Sequence, residues 1–148
     1  MTISEQLTSD MATSMKAGDA HRTGVVRLLR SALANEKIKL GHELSDDEAT
    51  KVMQREAKQR RDSIAAYKAA GRDDLAANEE AELEVVSTYL PEAMSPEELA
   101  GIVDEVIAQL GAKDMKSMGA VIGAVVSRVG AKAQGGDIST LVRQRLAG

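Results

Sequence analysis

Apolar side chains recur along this chain at helical spacing almost from its first residue, and nothing alternates with the period of two that a half-buried strand requires. Ile3, Leu7, Met11 and Met15 fall four residues apart behind Thr2-Ile3-Ser4-Glu5, a capping box, and Gly18 supplies a left-handed stop. Asp19 can cap a second helix with the stripe Val25, Val26, Leu29, Leu33, Glu36 and Leu40, ended by Gly41. Ser45-Asp46-Asp47-Glu48 opens a long third helix running towards Gly71, whose stripe is thin: Ala49, Val52, Met53, Ala57, Ile64 and Tyr67. Residues 55–62 of that helix are nearly all polar, so this stretch is expected to project into solvent or to meet a partner. Arg72-Asp73-Asp74-Leu75 reads as a turn, Asn78 as the cap of a fourth helix bearing Leu83, Val86 and Leu90, and Pro91 as its stop.

Beyond Pro91 the punctuation restarts. Ser95-Pro96-Glu97-Glu98 places a cap, a proline at the first helical position and a box-closing acid ahead of a full amphipathic face from Leu99 to Leu110. Two shorter helices follow, near residues 117–129 and 137–146. Gly119 and Gly123, one turn apart in an apolar helix, read as a point of close helix–helix approach. The expected fold class is therefore all-α: a helical N-terminal subdomain with a long helix, residues 1–92, and a small three-helix C-terminal bundle, residues 93–148.

Composition narrows the chemistry. Among 148 residues there is no Cys, Phe or Trp, and Tyr67 and Tyr89 are the only aromatics. Disulfides, thiolate metal sites and cysteine nucleophiles are thereby excluded, and the core must be aliphatic. The longest strongly apolar run, residues 119–126, is far short of the roughly 20 residues that span a bilayer, and no basic-then-apolar leader opens the chain. A cytoplasmic protein without membrane contact is expected. The net charge of −4 is unevenly distributed: residues 73–112 hold 11 acids and no base, whereas residues 113–148 hold six bases and two acids.

Catalytic motifs are missing. His21 and His42 each lie beside acids, but no paired-histidine or three-ligand spacing accompanies them, so they read as surface residues near caps rather than a metal site. No GxxxxGK[ST], GxGxxG or GxSxG occurs, and the acids Glu79, Glu80, Glu82 and Glu84 read as a solvated helix face. No catalytic residue, metal or cofactor is expected. The basic residues are the better lead. Lys113, Lys116, Arg128, Lys132, Arg143 and Arg145 could hold phosphates through charge-assisted contacts, and without Phe or Trp they would read folded RNA by its backbone rather than by base stacking.

Residues 58–91, KQRRDSIAAYKAAGRDDLAANEEAELEVVSTYLP, carry the pattern KQR(R/K)xS…Y…GRxDL…E…E…YLP. An RxxRxALxNExIxLG-like helix precedes it over residues 27–41, and Lys113-Asp114-Met115, Met118-Gly119 and Val129-Gly130 follow. In these segments the chain resembles the GatB/YqeY family in its free-standing YqeY-like form, along essentially its whole length. One departure is local: Ala133-Gln134-Gly135 stands where the family usually has Ala-Asp-Gly. The resemblance implies an all-α fold with a three-helix C-terminal bundle. It also implies kinship with the tail of the aspartyl/glutamyl-tRNA amidotransferase B subunit, whose glutamine-dependent carbon–nitrogen ligation resides in other domains. A non-catalytic tRNA-binding accessory of amidation or aminoacylation follows as the expectation. Its partners would be tRNA and an aminoacyl-tRNA synthetase or amidotransferase complex. The alternative is a protein–protein adaptor with no RNA role, docking through the long polar helix and the acidic segment of residues 73–112.

Overall fold

A computed structural model describes residues 1–147 and contains seven α-helices, with no strand among the described residues. They are α1 (Ile3–Lys16), α2 (Ala20–Leu40), α3 (Asp46–Ala69), α4 (Asp73–Ser87), α5 (Pro96–Leu110), α6 (Met118–Val129) and α7 (Gly135–Ala147). Short 3-10 turns at Met115–Ser117 and Gly130–Lys132 flank α6. The chain divides into two compact units, Met1–Leu90 and Pro91–Gly148.

Local chemistry sets the helix ends. The Ser45 hydroxyl accepts the Glu48 N–H while the Glu48 carboxylate accepts the Ser45 N–H, a complete capping box at the start of α3. Asp19 caps α2 and Ser95 caps α5, with Pro96 at the first helical position. Thr2 accepts the Glu5 N–H at α1. The turn after α3 is tighter than its composition suggests. Gly71 takes φ +71°, and the Arg72 N–H reaches back to the Tyr67 carbonyl at 2.8 Å, a Schellman closure that only a residue without Cβ adopts cheaply. The chain is therefore free to start α4 at Asp73, five residues before Asn78. Asp73 and Asp74 then sit in its first turn, where the helix dipole favours acids.

In the first unit α3 packs most extensively on α4, and α2 lies against α1, α3 and α4. Leu7, Val26, Leu29, Val52, Met53, Ala57 and Val86 form its fully buried core. The polar middle of α3 is divided between solvent and protein: Arg55, Lys58, Gln59 and Asp62 stay exposed, whereas Ala57 is in the core and Arg60 is only 7% exposed. Arg55 donates to Glu36 of α2 at 3.0 Å. The Arg60 guanidinium donates to the Glu56 carboxylate at 2.9 Å and to Glu82 of α4 at 3.3 Å, so helix α4 covers the Arg60 side of the segment.

Tyr89 closes this unit. Its ring is buried and its hydroxyl donates to the Asp10 carboxylate of α1, which Arg22 of α2 also approaches at 3.8 Å. Burial, together with the hydrogen bond to Asp10, pushes the phenol from 10 up to about 12. Because the unfolded chain ionises first, this contribution is fully present below pH 10 and is lost as pH rises through 12. Thermal melts should show the wild type more stable than Tyr89→Phe at pH 9, with the gap closing by pH 12. A gap indifferent to pH would detach the phenol from the effect.

In the second unit α5, α6 and α7 pack pairwise around an aliphatic core whose fully buried members are Val103, Val106, Val121, Val125, Ile138 and Val142. The turn at Met115–Ser117, capped by Asp114, packs on both α6 and α7. Gly119 and Gly123 lie on the exposed side of α6, and a Cβ at either would meet nothing within 4 Å. They do not mediate the close helix contact their spacing suggests. Valines 121 and 125 make the contacts of this helix, and the glycines lie away from them. The last helix likewise starts earlier than expected, so that Asp137 sits within its first turn rather than capping it.

Candidate nucleic-acid interface

All six cations singled out in the sequence are exposed, and they belong to the second unit. Lys113 and Lys116 share the connection between α5 and α6, where the Lys116 N–H donates to the Asp114 carboxylate at 3.0 Å. The turn that carries Lys116 packs against α7, the helix that carries Arg143. Arg128 lies in the last turn of α6, and Lys132 ends the following turn, where its carbonyl accepts the Met94 N–H. The 12 residues from Lys116 to Arg128 correspond to roughly 18 Å of helical rise. The structure thus distributes the cations to the two ends of α6 and to α7 rather than collecting them in one cluster.

Two of the six are engaged. Arg128 donates to Glu105 at 2.8 Å and Arg145 to Asp104 at 2.9 Å, both acceptors lying on α5. These pairs are exposed, so they confer little stability and remain open to exchange with other anions. Lys113, Lys116, Lys132 and Arg143 have no carboxylate partner among the described residues. The carboxylates of α5 change the electrostatic picture of the bundle. Residues 113–148 carry two acids, but the whole unit from Pro91 carries six bases against seven acids, net −1. Asp104 and Glu105 are the partners of these arginines that the sequence did not announce. Their only signal was position: they directly follow Val103 on the border of the apolar face of α5, the place from which a side chain reaches a neighbouring helix.

The histidines lie elsewhere. The His42 ring contacts the Glu43 carbonyl through Nδ1 at 2.7 Å and Glu48 through Nε2 at 3.4 Å, at the α2–α3 turn. His21 is exposed at the start of α2. No group of three or more His, Asp or Glu side chains is placed to hold a metal ion among the described residues. No described helix is long and apolar enough to cross a membrane.

Compared with protein families, residues 4–146 match the model of the Yqey-like proteins, nearly the whole chain. The chain belongs to the YqeY-like family. No curated protein matches it. In this YqeY-like chain several members of the signature stretch of residues 58–91 take part in contacts within the first unit. Lys58 pairs with Asp62, Arg60 with Glu56 and Glu82, and Lys68 with Glu80. Gly71 makes the turn and Tyr89 ties α1 to the chain's exit from the unit. Arg60–Glu82 and Lys68–Glu80 bind α3 to α4 and Tyr89 closes the bundle, whereas the exposed Lys58–Asp62 pair lies within α3.

Proposed function

We propose that this YqeY-like protein is a non-catalytic accessory that binds folded tRNA through its C-terminal unit and supports tRNA-dependent amidation or aminoacylation. Lys113, Lys116, Lys132 and Arg143 make the first phosphate contacts. Arg128 and Arg145 join only when phosphate displaces Glu105 and Asp104. The observation that carries this reading is the exposure of four cations without carboxylate partners on a unit that is otherwise net negative. The resemblance to the amidotransferase B-subunit tail supports the choice of tRNA. With no stacking aromatic in the unit, the recognised features are shape and backbone.

Fluorescence anisotropy with total tRNA across a potassium chloride series tests it. Affinity should fall linearly on a log–log plot as phosphate contacts release counterions. The double variant Asp104→Asn, Glu105→Gln frees both arginines and should bind about ten-fold more tightly, with a slope steeper by about 1 to 2. Absence of binding at low salt sinks the proposal. An unchanged slope in the double variant removes Arg128 and Arg145 from the contact set.

A further inference from the structure

The helix that matches RxxRxALxNExIxLG is only partly used by the fold. Leu33 is in the core, Glu36 accepts from Arg55, and Gly41 provides the left-handed cap of α2. Arg27, Ser31, Ala34 and Ile38 have no such employment. Their i, i+4, i+7, i+11 spacing aligns them along one side of α2, opposite Leu29 and Leu33, and all four are exposed. Ile38 is 78% exposed, the most exposed branched aliphatic described. Beside it a shallow cleft of about 570 Å³ is lined by Ala34, Lys37, Ile38, Gly41, His42 and Glu43.

The charge around this face is predominantly positive, and the one acid in the cleft lining, Glu43, is held by Lys37. Helix α2 carries five Lys or Arg and a single acid, Glu36, which is turned to Arg55 on α3. Lys37 is engaged by Glu43, whereas Arg27, Arg30 and Lys39 have no carboxylate partner among the described residues, and Arg30 donates to the Met11 sulfur. An aliphatic anchor beside a cleft, rimmed by cations, complements one occupant in both respects. Nucleic-acid backbone offers nothing apolar for Ile38, and no aromatic lies in α2 to stack a base. An acidic amphipathic helix offers both.

We propose that the solvent face of α2 docks an acidic amphipathic helix of another protein, its apolar side on Ile38 and the cleft and its carboxylates on Arg27 and Arg30. The contact spans about three helical turns, roughly 16 Å from Arg27 to Ile38. The partner's carboxylates cluster at the end that lies over Arg27 and Arg30, and its apolar side runs on to the cleft, where Glu43 already holds Lys37. This surface is independent of the RNA contacts, which lie in the other unit.

The probe is a fluorescein-labelled helical peptide of 14 residues, leucines at i, i+4, i+7 and i+11 and glutamates flanking them in one half. A scrambled peptide of identical composition is the control. The full chain should bind the designed peptide at least ten-fold more tightly than the scrambled one. Ile38→Asp and Arg27→Glu with Arg30→Glu should each cost at least ten-fold, with unchanged helicity by circular dichroism, and Arg143→Glu should cost nothing. Equal affinity for the scrambled peptide overturns the proposal, as does binding indifferent to Ile38→Asp, which is charge alone. Loss on Ile38→Asp without loss on the arginine reversal refutes an acidic partner. A wild-type dimer that Ile38→Asp dissociates in the ultracentrifuge assigns the face to a second copy, and loss of tRNA binding in that variant assigns it to RNA; either result replaces the proposed occupant.

Discussion

Replacing Arg60 by alanine should destabilise the N-terminal unit by about 3 kcal/mol, the largest effect expected of any charged residue in the chain. The guanidinium lies between the Glu56 and Glu82 carboxylates and its stem is enclosed by the packing of α3 on α4. Its removal leaves a gap and two carboxylates facing each other without a cation. Its Nε atom has no acceptor, so even the intact pair is incompletely satisfied. For that reason Arg60→Met, which keeps the stem volume, should recover part of the loss. Lys58, two residues earlier, makes an exposed pair with Asp62, and Lys58→Ala should change stability by less than about 0.5 kcal/mol. Tyr67 and Tyr89 both lie in the first unit and no Trp is present, so tyrosine emission during urea unfolding reports that unit alone. Equal midpoints for the two alanine variants would show that the buried ion pairs contribute nothing.

The second large effect concerns RNA. The triple reversal Lys113→Glu, Lys116→Glu, Arg143→Glu should lower tRNA affinity by at least about 100-fold at low salt and flatten the log–log salt slope by roughly 2 to 3. All three side chains are exposed and unpaired with carboxylates among the described residues, so helicity should be retained. The reversal Arg128→Glu, Arg145→Glu places like charges opposite Glu105 and Asp104 and therefore mixes lost contacts with local repulsion. Its slope is the less informative of the two. If the triple variant binds tRNA with wild-type affinity, these three residues are not the site.

Sequence reasoning succeeded where the determining chemistry is local. The Ser45 box, the Asp19 and Ser95 caps, and the glycine at 41 each act within one turn of helix, and each occurs where its spacing requires. It failed at contacts between distant residues. Nothing near Arg60 in sequence indicates that Glu82 will cover it, so this buried ion pair was not separable from the solvated face that Lys58, Gln59 and Asp62 do form. The basic tail looked strongly positive because its compensating acids, Asp104 and Glu105, precede it by 23 to 41 residues and meet it only when α5 folds onto α6 and α7. Gly119 and Gly123 have the spacing of a helix crossing, but spacing alone does not say which side of α6 faces the bundle, and the valines decide that. The start of α4 depended on whether Asp73 and Asp74 belong to a turn or to a first helical turn. Both suit acids, and the Schellman closure at Gly71 settles it.

The hydrogen bond from Tyr89 to Asp10 spans 79 residues of chain yet joins side chains at the first and last helical stretches of one unit. The exit of that unit is consequently tied to the middle of α1, seven residues beyond that helix's first residue. Loss of this one contact would loosen both the first helix and the stretch that follows the fourth.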